Sequence, residues 1–330
     1  MKTSFITKQK LPLVIEPEKS YTFDDFLKFL QDEHERIRRE ILKYGGVLFR
    51  GFPVDGADQF NLVIDALGLG KPVKYIGGDT PRDKVKGKVY TSTEAPPSIK
   101  IPLHNEMSYI KNFPNHIYFH CVTPSETGGE TIIGDARSIY RAVHPEVRKR
   151  FEQKNLRYIS NFYGKSWILD TINRFQRAHK TWMDAFETNS KEEVARLCAE
   201  NEFVFKCNKN DWLQVIYSRP AVIKHGQTGE KIWFNQAHLY DYNPRLVGRF
   251  NWLGTKVLYY KKNTIMHEMF YGDGSPISRK DLYHVMDVLD QETIRFPWKK
   301  GDVMVLDNVL AMHGRAPFTG KRRILASLTK

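Results

Sequence analysis

The chain has 330 residues, 41% of them hydrophobic, and a formal net charge of +13 at pH 7. That length and apolar content are enough for a large buried core, and one elaborated β domain over residues 1-330 accounts for them as well as two small domains would. Three cysteines, Cys121, Cys198 and Cys207, form no C-x-x-C pair, which excludes a disulfide scaffold and makes a reducing, cytoplasmic setting the expectation.

The first twenty residues interrupt any apolar run with Lys2, Lys8, Lys10, Glu16, Glu18 and Lys19. No stretch is long enough to span a bilayer, so a soluble, uncleaved chain with no membrane partner is expected. A basic surface attracts acidic partners and anionic small molecules. Nucleic acid is disfavoured, because acids are interleaved with the basic residues and no recognition motif is evident.

Thr22 and Asp25 open an amphipathic run, Phe26, Leu27, Leu30, Ile37 and Ile41, that suits a helix ending near Tyr44 and Gly45. GGVLFRGFPV at 45–54 reads as a buried strand, and further β-like runs follow at 115–124, 202–207, 213–218, 221–225, 231–236, 302–307 and 322–328. HGQTG at 225–229 lies between two of these, which predicts a hairpin over 220–236. Helical stretches are predicted at about 136–153, at 190–200 and at 278–292, the last two with Ser190/Glu193 and Ser278/Asp281 in capping-box spacing. Strands do not alternate regularly with helices, so the fold class is mainly β with helical decoration.

His104 and Glu106 stand two apart in IPLHNEMSY. In an extended segment they project to one side, as a shared metal requires. His313, after the buried run GDVMVLDNVLAM and read as lying in the connection that follows it, is the best-placed third donor. Two imidazoles and one carboxylate on one face of an ion leave positions open and favour iron(II). An H-x-E triplet alone is weakly informative, and a histidine after a core strand is usually structural.

Their neighbours add specificity. GGETIIGDAR at 128–137 and HGRAPFTGKRRILASL at 313–328, in that order behind HNEMSY, resemble the TauD/TfdA (clavaminate-synthase-like) family of iron(II)/2-oxoglutarate dioxygenases, from GGVLFRGF to the C-terminus. TSTEAPPSIKIPLHNEMSY and KIWFNQAH are similar to the branch that hydroxylates amino acids in non-ribosomal peptide and related natural-product pathways. The resemblance implies a double-stranded β-helix, a cupin-like jelly roll, with a partly helical insert at about 138-212 as partial cover. It implies Fe(II), 2-oxoglutarate as co-substrate and O2. The ligands fall on His104, Glu106 and His313; the hydroxyl donor to the far carboxylate of 2-oxoglutarate falls on Thr131, and its arginine on Arg323, with Arg322 next if the register slips by one.

Two positions qualify the likeness. The ligand carboxylate is Glu106 where many relatives have Asp, although Glu is the form of the clavaminate-synthase group. Ser327 occupies the place, four after Arg323, where several relatives hold an anionic substrate with a second arginine. Because Glu106 is retained, chloride has no vacated position on the metal, which favours hydroxylation over halogenation; desaturation, cyclisation and demethylation use the same ligands. The implied substrate is a small molecule, an amino acid or derivative, either free or presented by an acidic carrier protein.

Asn105, Ser108 and Tyr109 adjoin the ligand pair, Asn235 ends a strand directed at the barrel mouth, and Arg315 follows His313 by two; these are the candidate substrate contacts. Each has a structural alternative in a local hydrogen bond or salt bridge. His116, His120, His225 and His238 are read as structural, HERIRRE at 34–40 and VRKR at 147–150 as solvated helix faces or carrier-docking surfaces, and Trp167, Trp182 and Trp212 as core. The rival from another class is a basic, non-catalytic β-barrel binding protein.

Overall fold

The structure, a computed structural model, describes residues 1–73, 84–92, 95–166, 170–171, 181–208, 211–258 and 265–330. Trp167 lies outside the described residues. The GVLF segment Gly46–Phe49, buried at every position, is a central strand. It pairs in parallel with Leu13–Glu16 and antiparallel with Val303–Asp307. The sheet continues through His116–Thr123 and Arg323–Thr329 to Val89–Thr91 and Lys84–Lys86, and Lys2–Phe5 forms the opposite edge. A second sheet has three strands, with Ala311–Arg315 between Ile101–His104 and Thr131–Asp135.

Side-chain alternation sets the layers. From the large sheet, Ile117, Phe119, Cys121, Met304 and Leu306 share one apolar cluster with Leu103, Ile132 and Met312 of the small sheet. Tyr118, Val303 and Val305 point the other way and pack with Phe26, Ile37 and Phe60, which belong to the helices Phe23–Asp32, His34–Tyr44 and Gly56–Leu67. The two sheets therefore face each other across one core, and helices cover the outer face.

The predicted 22–44 helix is two helices meeting at Glu33, the first opened by a complete capping box between Thr22 and Asp25. The Ser190 and Ser278 side chains accept from the Glu193 and Asp281 amides as their spacing predicts. The hairpin pairs Val222–Lys224 with Lys231–Trp233. The 138–212 segment holds the helices Pro145–Lys154, Trp182–Phe186 and Lys191–Glu200, but also the strands Leu156–Phe162 and Val204–Cys207. These join Leu213–Arg219 and His267–Tyr271 in a four-stranded sheet. The polar Ser160 within the buried series Leu156, Tyr158, Phe162 hides that strand from an apolar count.

The basic stretches are helix faces, and Arg36, Arg148 and Arg150 of them have partners in the chain. Arg36 bonds Glu33, and Arg150 makes a two-pronged bond to Asp281. No helix among the described residues is long and apolar enough to cross a membrane.

Two expectations follow from the packing. A Cβ at Gly314 would lie 2.4 Å from the Ile101 carbonyl oxygen and 2.8 Å from that of Pro102, both main-chain atoms of the neighbouring strand. Gly314→Ala should therefore cost about 1–3 kcal/mol, read as a lower urea midpoint; an unchanged midpoint would show that these strands can separate freely. Burial lowers His116 and His120 below the ordinary histidine range and pushes His238 down to about 4. The unfolded chain then binds more protons below about pH 6.5, so this contribution is complete above that pH and is lost as the pH falls toward 4. Urea midpoints from pH 7 to 5 should decline, and less steeply for His238→Gln.

Candidate metal and co-substrate site

His104 ends its strand directly opposite His313, with ring centroids 4.5 Å apart. The strand does not continue to Glu106. The chain turns at 106–109, with Met107 in the left-handed region at φ 54°, and this turn, rather than the expected extended alternation, presents the carboxylate. His313 likewise sits inside the Ala311–Arg315 strand and not in a connection, because the turn comes earlier, at residues 308–310. One ligand atom from each of His104, Glu106 and His313 lies within 4.8 Å of the others, and all three residues are buried. Glu106 Oε2 is 3.6 Å from His313 Nε2.

The His104 Nδ1–H donates to the Pro102 carbonyl at 2.9 Å, which fixes the tautomer and leaves Nε2 with a lone pair for a metal. Burial, and after it the neighbouring His313, pushes the imidazole down to about 3, so it stays neutral, the form that ligates. Two neutral-capable imidazoles and one carboxylate, closed on one side by protein, fit a facial iron(II) site.

A cavity beside the histidines is lined by Thr131, Ser92, Arg315 and Arg322. The Trp298 indole N–H donates to Thr131 Oγ at 3.1 Å, which occupies a lone pair and leaves the threonine's own O–H for the cavity. Arg323 does not reach it: its side chain is exposed, and the strand pairing is irregular between Arg323 and Ile324. Ile324, Ala326 and Leu328 belong to the inner cluster while Leu325 belongs to the outer one, and that alternation brings Arg322 inside. Arg322 donates through Nε to the Gly129 carbonyl at 2.8 Å and through Nη1 to Ser92 Oγ at 3.3 Å. Among the described residues no carboxylate pairs with it. Burial, then the nearby Arg315, lowers it to about 10, still protonated at neutral pH. The second-arginine position moves with the register to Ala326, and Ser327 instead donates to the Lys88 carbonyl.

The substrate candidates divide. Ser108 is buried and its Oγ has no hydrogen-bond partner among the described residues, while Tyr109 packs its ring against Tyr217 and Tyr240. Asn235 is spent on main chain, donating to the Ala221 carbonyl and accepting from the Ala237 amide, and Asn105 donates to the Asn308 carbonyl at 2.7 Å; neither amide is directed at the cavity. Arg315 lines the cavity, but its guanidinium holds the Ala95, Pro96 and Ile99 carbonyls. His238 donates to the Leu103 carbonyl and His225 bonds Asp307, both structural. Trp298, Gln236 and Asn308 carry no sequence signal of their own, since their side-chain hydrogen bonds go to residues distant in the chain.

The chain matches the family described as taurine catabolism dioxygenase TauD, TfdA family, over residues 7–329. A clavaminate synthase-like protein of Arabidopsis thaliana is 32% identical over 290 residues, covering 87% of this chain and 82% of the relative. The dapdiamide synthesis protein DdaC of Enterobacter agglomerans is 30% identical over 296 residues, covering 89% and 85%. In fold, the chain is similar to PvcB of Pseudomonas aeruginosa, with TM-score 0.52 and 14% identity over 96% of this chain and 84% of that one. A taurine dioxygenase of Burkholderia xenovorans gives TM-score 0.51 and 16% identity over 90% and 79%. The non-catalytic binding-protein alternative falls with these matches, and the chain belongs to the TauD/TfdA family as an iron(II)- and 2-oxoglutarate-dependent dioxygenase.

Proposed function

We propose that the protein hydroxylates an unactivated C–H bond of an amino acid, or of an amino-acid-derived intermediate in natural-product synthesis. His104, Glu106 and His313 hold the iron, Thr131 and Arg322 hold the far carboxylate of 2-oxoglutarate, and a jelly-roll core carries all five. The observation that carries this reading is one cavity with imidazole donors at one side and, at the other, a largely buried guanidinium with no carboxylate partner among the described residues, beside a hydroxyl free to donate. A dicarboxylate satisfies both sides. The relative named for dapdiamide synthesis supports the natural-product setting.

Iron(II) with 2-oxoglutarate supplies oxidising power from O2, giving succinate, carbon dioxide and one oxygen atom for the substrate. The chain's own groups position and exclude. Arg322 offers parallel N–H donors to a carboxylate in a partly buried place, where such a bond is strong. Thr131 adds its O–H, Trp298 keeps that hydroxyl oriented, and Ile101 and Phe119 close the cavity with apolar surface. Retention of Glu106 favours hydroxylation over halogenation.

Anaerobic addition of iron(II) and 2-oxoglutarate to the apoprotein should give the weak visible charge-transfer band of a chelated keto acid, and His104→Ala should abolish it. A folded wild type without the band refutes the site. Arg322→Leu should raise the 2-oxoglutarate concentration needed for half-saturation by roughly 10- to 100-fold, the loss of a charge-assisted hydrogen-bonded pair, while Arg323→Leu leaves it unchanged; the reverse ordering returns the role to Arg323. Succinate release screened over free and carrier-loaded amino acids identifies the substrate class. Product mass separates a gained oxygen from the lost hydrogens of desaturation or ring closure.

A further inference from the structure

Glu106 lies beyond the end of its strand, in a turn with no sheet partner. Its main chain is instead paired to one side chain. Asn308 Oδ1 accepts from the Glu106 amide at 2.7 Å, and Asn308 Nδ2 donates to the Glu106 carbonyl at 2.9 Å and to the Pro114 carbonyl at 2.8 Å. Two carbonyls facing one end of the carboxamide and an N–H facing the other settle its orientation. Asn308 is fully buried and stands in the turn that leads into the His313 strand. The link runs both ways, since Asn105 donates to the Asn308 carbonyl and Gln236 donates to the Asn105 carbonyl at 2.6 Å.

We propose that Asn308 is a positioning residue for the metal: its carboxamide acts as a surrogate strand partner that fixes the Glu106 turn against the His313 hairpin, so that the carboxylate reaches the two imidazoles. Asn308 is no ligand itself and acts through Glu106. The proposal rests on the assignment of His104, Glu106 and His313 as ligands, and it adds the requirement that the Asn308 carboxamide hold the turn in place. Removing it takes away one hydrogen bond from the Glu106 N–H and one each from the Glu106 and Pro114 carbonyls, all in the interior. The carboxylate is then free to leave the imidazoles, an effect of the size that outer hydrogen-bond partners of metal ligands typically have.

The test is a double-mutant cycle on Co(II) affinity of the full-length apoprotein, read from the visible d–d bands, whose intensity also reports the coordination number. Asn308→Ala should weaken Co(II) binding by about 10- to 100-fold. Glu106→Ala should weaken it at least as much, and the double variant should bind no worse than Glu106→Ala alone, because coupled residues are non-additive. Phe26→Leu, in the outer cluster, lowers stability without touching the site and should leave Co(II) affinity at the wild-type value. Asn308→Ser provides the same cycle should Asn308→Ala not fold. Additive losses, or wild-type affinity and spectrum in a folded Asn308 variant, overturn the positioning role while leaving the ligand set standing. A wild type that binds no Co(II), or a Glu106→Ala variant that binds normally, overturns the ligand set and the positioning role with it.

Discussion

A carboxylate and two imidazoles gathered within 4.8 Å inside a closed interior lose their hydration together. Each is costly to bury unless its remaining polar atoms are answered. The inner core meets that requirement in part, since His313 Nδ1 has no hydrogen-bond partner among the described residues. His104 spends its distal N–H on Pro102, remains neutral, and sits in register opposite His313. Their strands pack so closely that position 314 has no room for a side chain. The carboxylate that strand pairing does not place, Glu106, is placed by buried amides from elsewhere in the chain. The three donors that these contacts leave near one another are the set proposed to hold the metal.

The same alternation that puts the histidines inside decides which arginine of the 322–323 pair lines the cavity. A slip of one residue in a strand exchanges its faces completely, and the arginine pair at 322–323 stands where pairing is irregular. From sequence alone the two are separable only by counting from His313. In the folded chain the inner positions Ile324, Ala326 and Leu328 carry the parity back to Arg322. The position two turns of that alternation further on is then Ala326, buried and uncharged. An anionic substrate held by a second arginine is thus as poorly served at the corrected position as at Ser327.

The central strands at 46–49, 116–123, 303–307 and 323–329 were legible because each is a short apolar run bounded by glycine, proline or polar residues. The clustering of His104, Glu106 and His313 was legible as residue types in order, read together with the resemblance. Glu106 and His313 reach their places by turns whose sequences, EMSY and NVL, carry no pattern that distinguishes them from continued strand. Thr131, buried at a strand's first position, could be read only through its neighbours GGE. Asn308 and Trp298 were illegible for a different reason: their partners lie 202 and 167 residues away, and no local period encodes such pairs. The strand Leu156–Phe162 was hidden because its inward series includes a serine, which the fold satisfies with His267.

That strand also shows how the chain beyond the core bears on the metal. Tyr217, from the four-stranded sheet, stacks on Tyr158 and touches Tyr109, three residues past Glu106, while Tyr240 closes the group from the other side. Tyr158 offers its hydroxyl oxygen to the Gln236 amide, and the Gln236 side chain holds the Asn105 carbonyl. Two routes, one aromatic and one through hydrogen bonds, therefore run from the extra sheet to the turn that carries Glu106. Packed rings and buried amides transmit displacement because neither can shift without opening a void or stranding a polar group. The extra sheet is thereby braced on the turn that holds Glu106, so the two are packed as one unit.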